Sequence, residues 1–205
     1  RYNMNETKMI AKKGLEGLIA DVSAISSVDV ERRMLMYRGY DINDLCENSN
    51  FMEVAYMLLH GDMPNTKQFE EFEKFEKENR NVPDLVYETF KKMPKTAHPM
   101  DYLRLGVTLT SLYDENNKLE ENTHADNLRK AKLMLAKIPT IVANSHRLVH
   151  GKEIIRPNKN FSYSKNFLYM LRGTENIDNF MMKVFDVSLI LYAEHGFNAS
   201  TFAAR

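Results

Sequence analysis

The chain has 205 residues, of which 43% are hydrophobic and 27% charged, and its 28 basic residues equal its 28 acidic ones. This composition excludes the low-hydrophobicity, high-charge kind of disordered chain, and it provides no positive excess that would favour nucleic acid or an anionic membrane as a partner. The single cysteine, Cys46, excludes an internal disulfide and a zinc site built from several cysteines. It also fits a reducing compartment, so we expect a cytoplasmic protein.

The two ends of the chain favour a piece of a longer protein. The chain starts without a methionine, and its polar first residues lack the apolar run of a signal peptide. It ends on Phe202-Ala203-Ala204-Arg205, inside an apolar pattern. No stretch reaches the roughly 18 uninterrupted apolar residues of a membrane span.

The only β signal lies near the start of the chain. Residues 18–25 and 34–37 are rich in branched and aromatic side chains, which is typical of strands. They predict a small hairpin over residues 18–37 with its turn at residues 26–33, preceded by a flexible tail at residues 1–13. Arg38-Gly39-Tyr40 then predicts a turn into the first helix.

From there to the end, the apolar residues recur at helical spacing, and glycine and proline fall between the periodic segments. Capping residues, Gly61 and the prolines mark the helix ends. The predicted helices cover residues 41–47, 51–60, 66–78, 84–92, 99–113, 123–150, 163–171 and 177–193.

Two apolar segments are expected in the core, and a proline predicts a bend in the longest helix. Phe69, Phe72 and Phe75 are spaced by three, which is far more typical of a core face than of an aromatic binding surface. Pro139 removes a backbone donor and predicts a bend in the longest helix. The last helix is strongly apolar around residues 184–191 and is therefore expected to be buried.

Chemical motifs are few. The sequence contains no phosphate-binding GxxxxGK[ST] loop, no GxGxxG and no HExxH. His146 and His150 lie four residues apart with Glu153 nearby, a spacing that can hold a metal on one helical face. Histidines at a helix C-terminus also interact favourably with the helix dipole, and this second interpretation is the preferred one.

His195 is the strongest candidate. It follows a strongly apolar helix and precedes Gly196, which permits an unusual backbone, while Asn198 or Ser200 can cap a new helix. A helix N-terminus presents free N–H groups that suit an anionic ligand, and a histidine there can donate to a carboxylate or a carbonyl. On spacing alone, a capped turn with a structural histidine explains the same pattern.

Several blocks of the sequence resemble the citrate synthase family, which includes 2-methylcitrate synthase. The segment from Ile190 to Thr201 resembles the family's histidine-containing segment, and the other blocks occur in the family's order. They are Gly14-Leu15-Glu16-Gly17-Leu18, Tyr37-Arg38-Gly39-Tyr40-Asp41-Ile42, the run from Glu53 to Gly61, the run from His98 to Arg104, the run from Lys137 to Ala143, and the run from Asn166 to Leu171.

The resemblance implies an all-α fold: a multi-helical large-domain portion of a citrate synthase-like fold with a small N-terminal β-hairpin, residues 1–205 being the N-terminal part of the large domain. It implies an acyltransferase that condenses acetyl-CoA with oxaloacetate and water to give citrate and CoA, the entry into the tricarboxylic acid cycle. It assigns oxaloacetate binding to His195 and, with less weight, to Asn198.

The resemblance also implies that the catalytic groups lie elsewhere. The family's two catalytic histidines stand in GPLHGG-like and GFGHR-like segments and are followed by an aspartate, and neither segment occurs in the 205 residues. We therefore expect no catalytic residue in this chain, and the fragment alone to be inactive. Turnover needs a carboxylate base and a donor on the thioester oxygen, and one histidine cannot supply both.

Two alternatives stay open at this point. One is a 2-methylcitrate synthase that uses propionyl-CoA, since the residues that size the acyl pocket are not recognisable here. The other is a non-catalytic helical binding module. For a citrate synthase and for a 2-methylcitrate synthase alike, we expect no metal and no cofactor beyond the acyl-CoA cosubstrate. We also expect the full-length protein to be a homodimer.

Overall fold

The computed structural model describes residues 23–115 and 123–194, together with residues 196, 198 and 200. The predicted tail at residues 1–13 and the apolar residues 18–22 lie outside this part. A three-stranded sheet comes first: β1 Ser26–Asp29, β2 Met34–Tyr37 and β3 Tyr40–Asp41. The helices follow in the order α1 Ile42–Asn48, α2 Phe51–His60, α3 Thr66–Glu78, α4 Asp84–Lys92, α5 Pro99–Ser111, α6 His124–Val149, α7 Tyr163–Arg172 and α8 Asn179–Leu191.

The sheet is antiparallel, with β2 in the centre. The predicted hairpin is therefore confirmed for β2, but the prediction was wrong about the first strand and the turn. The strand pairs Ser26 with Tyr37 and Asp29 with Met34, and the turn covers only residues 30–33. Serines were interpreted as turn residues, yet β1 is an exposed edge strand with no need of apolar side chains on both faces. Arg33 lies in the left-handed region, with φ of 54°, where the chain reverses.

The predicted helices are all present, with ends that differ by a few residues. Their N-termini are closed by side chains that the sequence made recognisable. Asn50 and Glu53 form a capping box at α2, Asn65 and Gln68 form another at α3, and Pro99 occupies the first turn of α5. The all-α class with a small N-terminal sheet is thus confirmed.

The buried apolar residues form two clusters on either side of α6. The first joins the sheet to α1, α2, α3 and the end of α8, and it contains Tyr37, Phe51 and Phe72. The second joins α4, α5 and α6 through Phe90, Tyr102, Ile141 and their neighbours. Phe72 confirms the core interpretation of the phenylalanine stripe, with Phe69 packed against the same cluster.

Pro139 lies inside α6 without ending the helix. A proline has no N–H, so the carbonyl of Leu135, four residues earlier, lacks its helical donor. The Tyr163 hydroxyl of α7 donates to that carbonyl at 3.1 Å. The cost of the proline is therefore offset by a side chain from a neighbouring helix, which also ties α7 to α6.

A buried ion pair fixes the long loop between α6 and α7. Arg80 is 1% exposed and donates twice to the Glu76 carboxylate, at 2.8 and 2.7 Å. The same guanidinium donates to the carbonyls of Asn158 and Phe161, which lie just before α7 begins. Burial raises the pKa of the Glu76 carboxyl, and the Arg80 guanidinium opposes that shift.

The last helix does not have the buried position that its composition predicts. Only Ile190 of α8 is buried, whereas Phe180 is 77% and Val184 51% exposed. The helix packs on α1, α2 and α7 with one face, and its opposite face has no neighbour among the described residues. An apolar composition indicates that a helix tends to be covered, but not which part of the molecule covers it. The prediction of burial was wrong for this reason.

Within the described part of the chain, none of the helices combines the length and the apolar character needed to cross a bilayer.

Candidate functional site

The candidate site lies where α8 ends. His195 itself lies outside the described residues, so the structure does not test its assignment. Glu194 on one side and Gly196 on the other are described, as is Asn198, which is exposed. Gly196 has φ of +83°, the left-handed conformation that the sequence predicted a glycine would allow there. The roles of His195 and Asn198 in binding oxaloacetate stay predictions.

The backbone before His195 is bonded to the central strand of the sheet. Tyr37, the last residue of β2, is fully buried. Its hydroxyl is 3.0 Å from the carbonyl of Glu194 and 3.2 Å from the carbonyl of Leu191, and it donates to this pair of acceptors. The same oxygen accepts from the Glu194 N–H at 3.4 Å. The last carbonyls of a helix have no partner within the helix, and Tyr37 supplies one for α8.

The Glu194 side chain makes a second connection to the sheet. Its carboxylate oxygen Oε1 accepts from the Ser26 hydroxyl of β1 at 3.2 Å. The same oxygen accepts the backbone N–H of Gly196. One carboxylate thus binds the edge strand and the residue that follows His195. Together, Tyr37, Ser26 and Glu194 form what we call the sheet brace.

The Tyr37 hydroxyl is held in its neutral form. Burial is the main reason that the pKa of Tyr37 is raised above its ordinary value of 10.0, and the negative charge of the nearby Glu194 carboxylate adds to the rise. The hydrogen bond with the Glu194 backbone acts in the opposite direction. At neutral pH the hydroxyl therefore carries its proton and can donate to the two carbonyls.

An apolar groove opens beside the sheet brace, with a volume of about 380 Å³. Among the described residues that line it, Glu194 alone is charged. Its wall is formed by the end of the loop before β1, by α2, by α6 and by the residues after α8: Ile25, Phe51, Ala55, Leu58, Leu59, Ala131, Leu135 and Ala193.

The middle of the same helix is also bonded to its neighbours. Asp186, in the middle of α8, accepts the Ser164 hydroxyl of α7 at 2.5 Å and the Phe51 N–H of α2 at 2.9 Å. The Phe51 N–H is one of the donors that a helix N-terminus leaves free. Asp186 holds the middle of α8 and Tyr37 holds its end. These two sets of contacts fix the direction in which the chain leaves α8 toward His195.

The pair of histidines at the end of α6 does not gain a third ligand. The rings of His146 and His150 lie 4.1 Å apart, and His150 Nδ1 is 2.8 Å from the His146 carbonyl. Burial lowers the pKa of His146, and the His150 ring adds to the shift. In the described ranges, no three His, Cys, Asp or Glu side chains come together as a metal site would require. The prediction that the protein uses no metal stays a prediction.

Sequence reasoning did not identify the sheet brace. The sequence correctly predicts Tyr37 in a strand but indicates no partner for its hydroxyl, and it predicts Ser26 in the turn instead of in β1. Tyr37 and Glu194 are 157 residues apart, so no local spacing relates them. The available signal was a tyrosine in an otherwise apolar strand, since a buried tyrosine hydroxyl usually has a hydrogen-bond partner.

Comparison with known proteins identifies the family. The family model described as "Citrate synthase, C-terminal domain" matches residues 14–205. Among curated relatives, a citrate synthase of Heyndrickxia coagulans is 40% identical over 192 residues, which are 94% of this chain and 51% of the relative. A 2-methylcitrate synthase of Mycobacterium tuberculosis strain H37Rv is 39% identical over 194 residues, 95% of this chain and 48% of the relative.

Solved structures agree. The crystal structure of citrate synthase from Pyrobaculum aerophilum superposes with a TM-score of 0.85 at 34% identity, covering 93% of this chain and 49% of that one. The structure from Thermotoga maritima gives a TM-score of 0.80 at 33% identity. The chain spans about half the length of the curated relatives it matches. With a family model matched from residue 14 to residue 205 and this shared fold, the chain belongs to the citrate synthase family.

Proposed function

We propose that the full-length protein condenses acetyl-CoA with oxaloacetate and water to give citrate and CoA, at the entry to the tricarboxylic acid cycle. The observation that carries the proposal is the match of the family model over residues 14–205. The supporting geometry is the sheet brace, which ties the backbone on both sides of His195 to a rigid element.

In this proposal the chain is the N-terminal part of the large domain and contributes substrate contacts. His195 donates a hydrogen bond to oxaloacetate, and Asn198 assists. Both follow a helix end whose carbonyls are bonded to Tyr37. A donor held by packed elements needs little reorganisation when the dianionic substrate binds, and that is the condition under which electrostatic contacts are most effective.

The reaction requires groups that this half does not supply. A carboxylate must remove a proton from the methyl group of the thioester while a donor stabilises the enol oxygen, and a second donor must polarise the ketone that the enol carbon attacks. Water then hydrolyses the thioester and releases CoA. We place the base and the two donors in the other half of the protein, in the aspartate and the two histidine segments that the family resemblance implies.

A 2-methylcitrate synthase is the second candidate, and the comparison supports it as well as the first. The chain is 40% identical to named citrate synthases and 39–40% identical to named 2-methylcitrate synthases. This half therefore does not distinguish acetyl-CoA from propionyl-CoA as the acyl donor.

The remaining features of the proposal follow the family resemblance and the composition. The full-length protein acts as a homodimer in the cytoplasm, with oxaloacetate and an acyl-CoA as its small-molecule substrates. It uses no metal and no redox cofactor, as the family resemblance implies; condensation and hydrolysis involve no net oxidation or reduction, and proton donors and acceptors can serve both steps.

The proposal predicts that the full-length protein releases CoA from acetyl-CoA only when oxaloacetate is present, at a rate on the order of 10 per second. The measurement is the initial rate of thiol formation with acetyl-CoA and with propionyl-CoA in parallel. A higher kcat/KM for propionyl-CoA would replace citrate by 2-methylcitrate as the product. Absence of thiol release with both donors would leave a non-catalytic helical module as the better description.

A further inference from the structure

We propose that Tyr37 is a positioning residue for the oxaloacetate site: its hydroxyl holds the end of α8 and the backbone of Glu194, the residue from which the chain enters His195. The inference rests on the proposed function and adds a residue from an element remote in sequence. It assigns to the small sheet a role in substrate affinity in addition to its contribution to the core.

The Tyr37 hydroxyl contacts three backbone atoms at the end of α8. The Tyr37 oxygen is within hydrogen-bond distance of Leu191 O, Glu194 O and Glu194 N. Leu191 is the last residue of α8, and Glu194 is bonded covalently to His195. A hydroxyl with these neighbours can donate to the helix end and accept from the segment that leaves it. It therefore controls the direction of the backbone directly before His195.

The strand that carries Tyr37 is a rigid support for its hydroxyl. Tyr37 is fully buried, and it lies in the central strand, with β1 and β3 as hydrogen-bonded neighbours. Arg38, the next residue, has φ of 51° and donates from Nη2 to the Leu58 carbonyl at the end of α2. Because its ring cannot move without disturbing the core, the hydroxyl is a fixed point rather than a mobile surface contact.

A separate contact links the edge strand, through the Glu194 side chain, to the residue that follows His195. Ser26 donates to the Glu194 carboxylate, which in turn accepts from the N–H of Gly196. Two adjacent strands thus bond to Glu194, directly before the histidine, and the Glu194 carboxylate extends this contact to the N–H of Gly196, directly after it. A structural cap for α8 would need only the first of these contacts.

The geometry also predicts which substrate is affected. The sheet brace acts on the segment to which oxaloacetate binding is assigned, so loss of the Tyr37 hydroxyl should weaken oxaloacetate and leave the acyl-CoA unaffected. One neutral hydrogen bond corresponds to a roughly three- to tenfold change in affinity. A change confined to stability would lower the unfolding temperature and leave both Michaelis constants as they are.

The test is Tyr37→Phe in the full-length protein, compared with Tyr102→Phe. Tyr102 is a matched control because it is 1% exposed, its hydroxyl donates to the Pro94 carbonyl at 3.2 Å, and it lies in the other core cluster. We expect Tyr37→Phe to raise the KM for oxaloacetate about three- to tenfold and to leave the KM for acyl-CoA within about twofold. Tyr102→Phe should lower the unfolding temperature by a similar amount and change neither KM.

A double variant separates positioning from general damage. If Tyr37 acts through the His195 segment, Tyr37→Phe should change oxaloacetate affinity much less when His195 is already alanine, because residues that act through one contact are not additive. Ser26→Ala, at a partly exposed position, provides a second variant with no packing cost and should also raise the oxaloacetate KM.

Two failures are distinguishable. A wild-type protein that releases no CoA defeats the proposed function, and the inference falls with it. An active wild type in which Tyr37→Phe and Tyr102→Phe give the same pair of KM values, or in which the Tyr37 and His195 effects are additive, overturns the positioning role alone.

Discussion

Replacing Arg80 by methionine is expected to cost the full-length protein about 3–5 kcal/mol of unfolding free energy, because removing one partner of a buried ion pair leaves the other charge uncompensated. Glu76 is 2% exposed and would keep a carboxylate with no cation in contact. The carbonyls of Asn158 and Phe161 would lose their donor as well. Urea denaturation followed by far-UV circular dichroism measures the difference.

Lys67→Met is the matched control, because Lys67 and Glu71 form an i,i+4 pair on α3, the helix that carries Glu76. Their charged atoms are 3.9 Å apart, and the side chains are 85% and 68% exposed. An exposed pair of this kind contributes about 0–1 kcal/mol. The double variant Glu76→Gln with Arg80→Met should recover part of the loss, since it leaves no buried charge. Equal losses in Arg80→Met and Lys67→Met would contradict the role assigned to the buried ion pair.

The loss at Arg80 would also affect the site through the fold. Arg80 holds the residues before α7, and Ser164 of α7 bonds to Asp186 of α8. The end of α8 then carries the residues that Tyr37 holds. We therefore attribute the position of the end of α8, which leads into His195, to a series of packed helices anchored by one buried ion pair.

Substitution of His195 by alanine in the full-length protein should lower oxaloacetate affinity by about one to two orders of magnitude, because a hydrogen bond to a charged group contributes about 1.5–3 kcal/mol. Affinity for the acyl-CoA should change less, since the proposal assigns that substrate mainly to the other half. Isothermal titration with each substrate, beside the two unfolding temperatures, measures the effect.

His98→Ala provides the control for a purely structural histidine. His98 caps α5 by accepting the Met100 N–H on Nδ1 at 3.2 Å, so its loss should lower the unfolding temperature without selective loss of oxaloacetate. If His195→Ala behaves in the same way, with a lower unfolding temperature and unchanged oxaloacetate affinity, His195 is a capping residue and the binding assignment is wrong.

Capping residues and prolines at the helix ends made most of the helices predictable. α4 begins at Asp84 and ends at Lys92 as expected, because Pro83 and Pro94 bracket it. Asn50 and Asn65 were recognisable as caps because asparagine is a preferred N-cap residue. In the structure both side chains accept the backbone N–H three residues on. These signals act within one turn of the chain, so a single sequence contains them in full.

Features that depend on the neighbours of an element were not predictable. β1 was misplaced because an exposed edge strand tolerates serines, and α8 was expected to be buried because composition does not show what covers a helix. Among the described residues, the face of α8 with Phe180 and Val184 is exposed. The Tyr37–Glu194 bond was missed because its partners are 157 residues apart.

The most direct test of the proposal that the catalytic groups lie outside this chain is the rate of CoA release by the purified 205-residue chain. Acetyl-CoA and oxaloacetate are supplied at saturating concentrations. A far-UV circular dichroism spectrum of the same sample shows that it is helical. We expect no detectable release, because the carboxylate base and both catalytic histidines are proposed to lie outside these residues, with only substrate contacts and scaffold in this half. Turnover within a few-fold of a typical enzyme, on the order of 10 per second, would contradict this proposal.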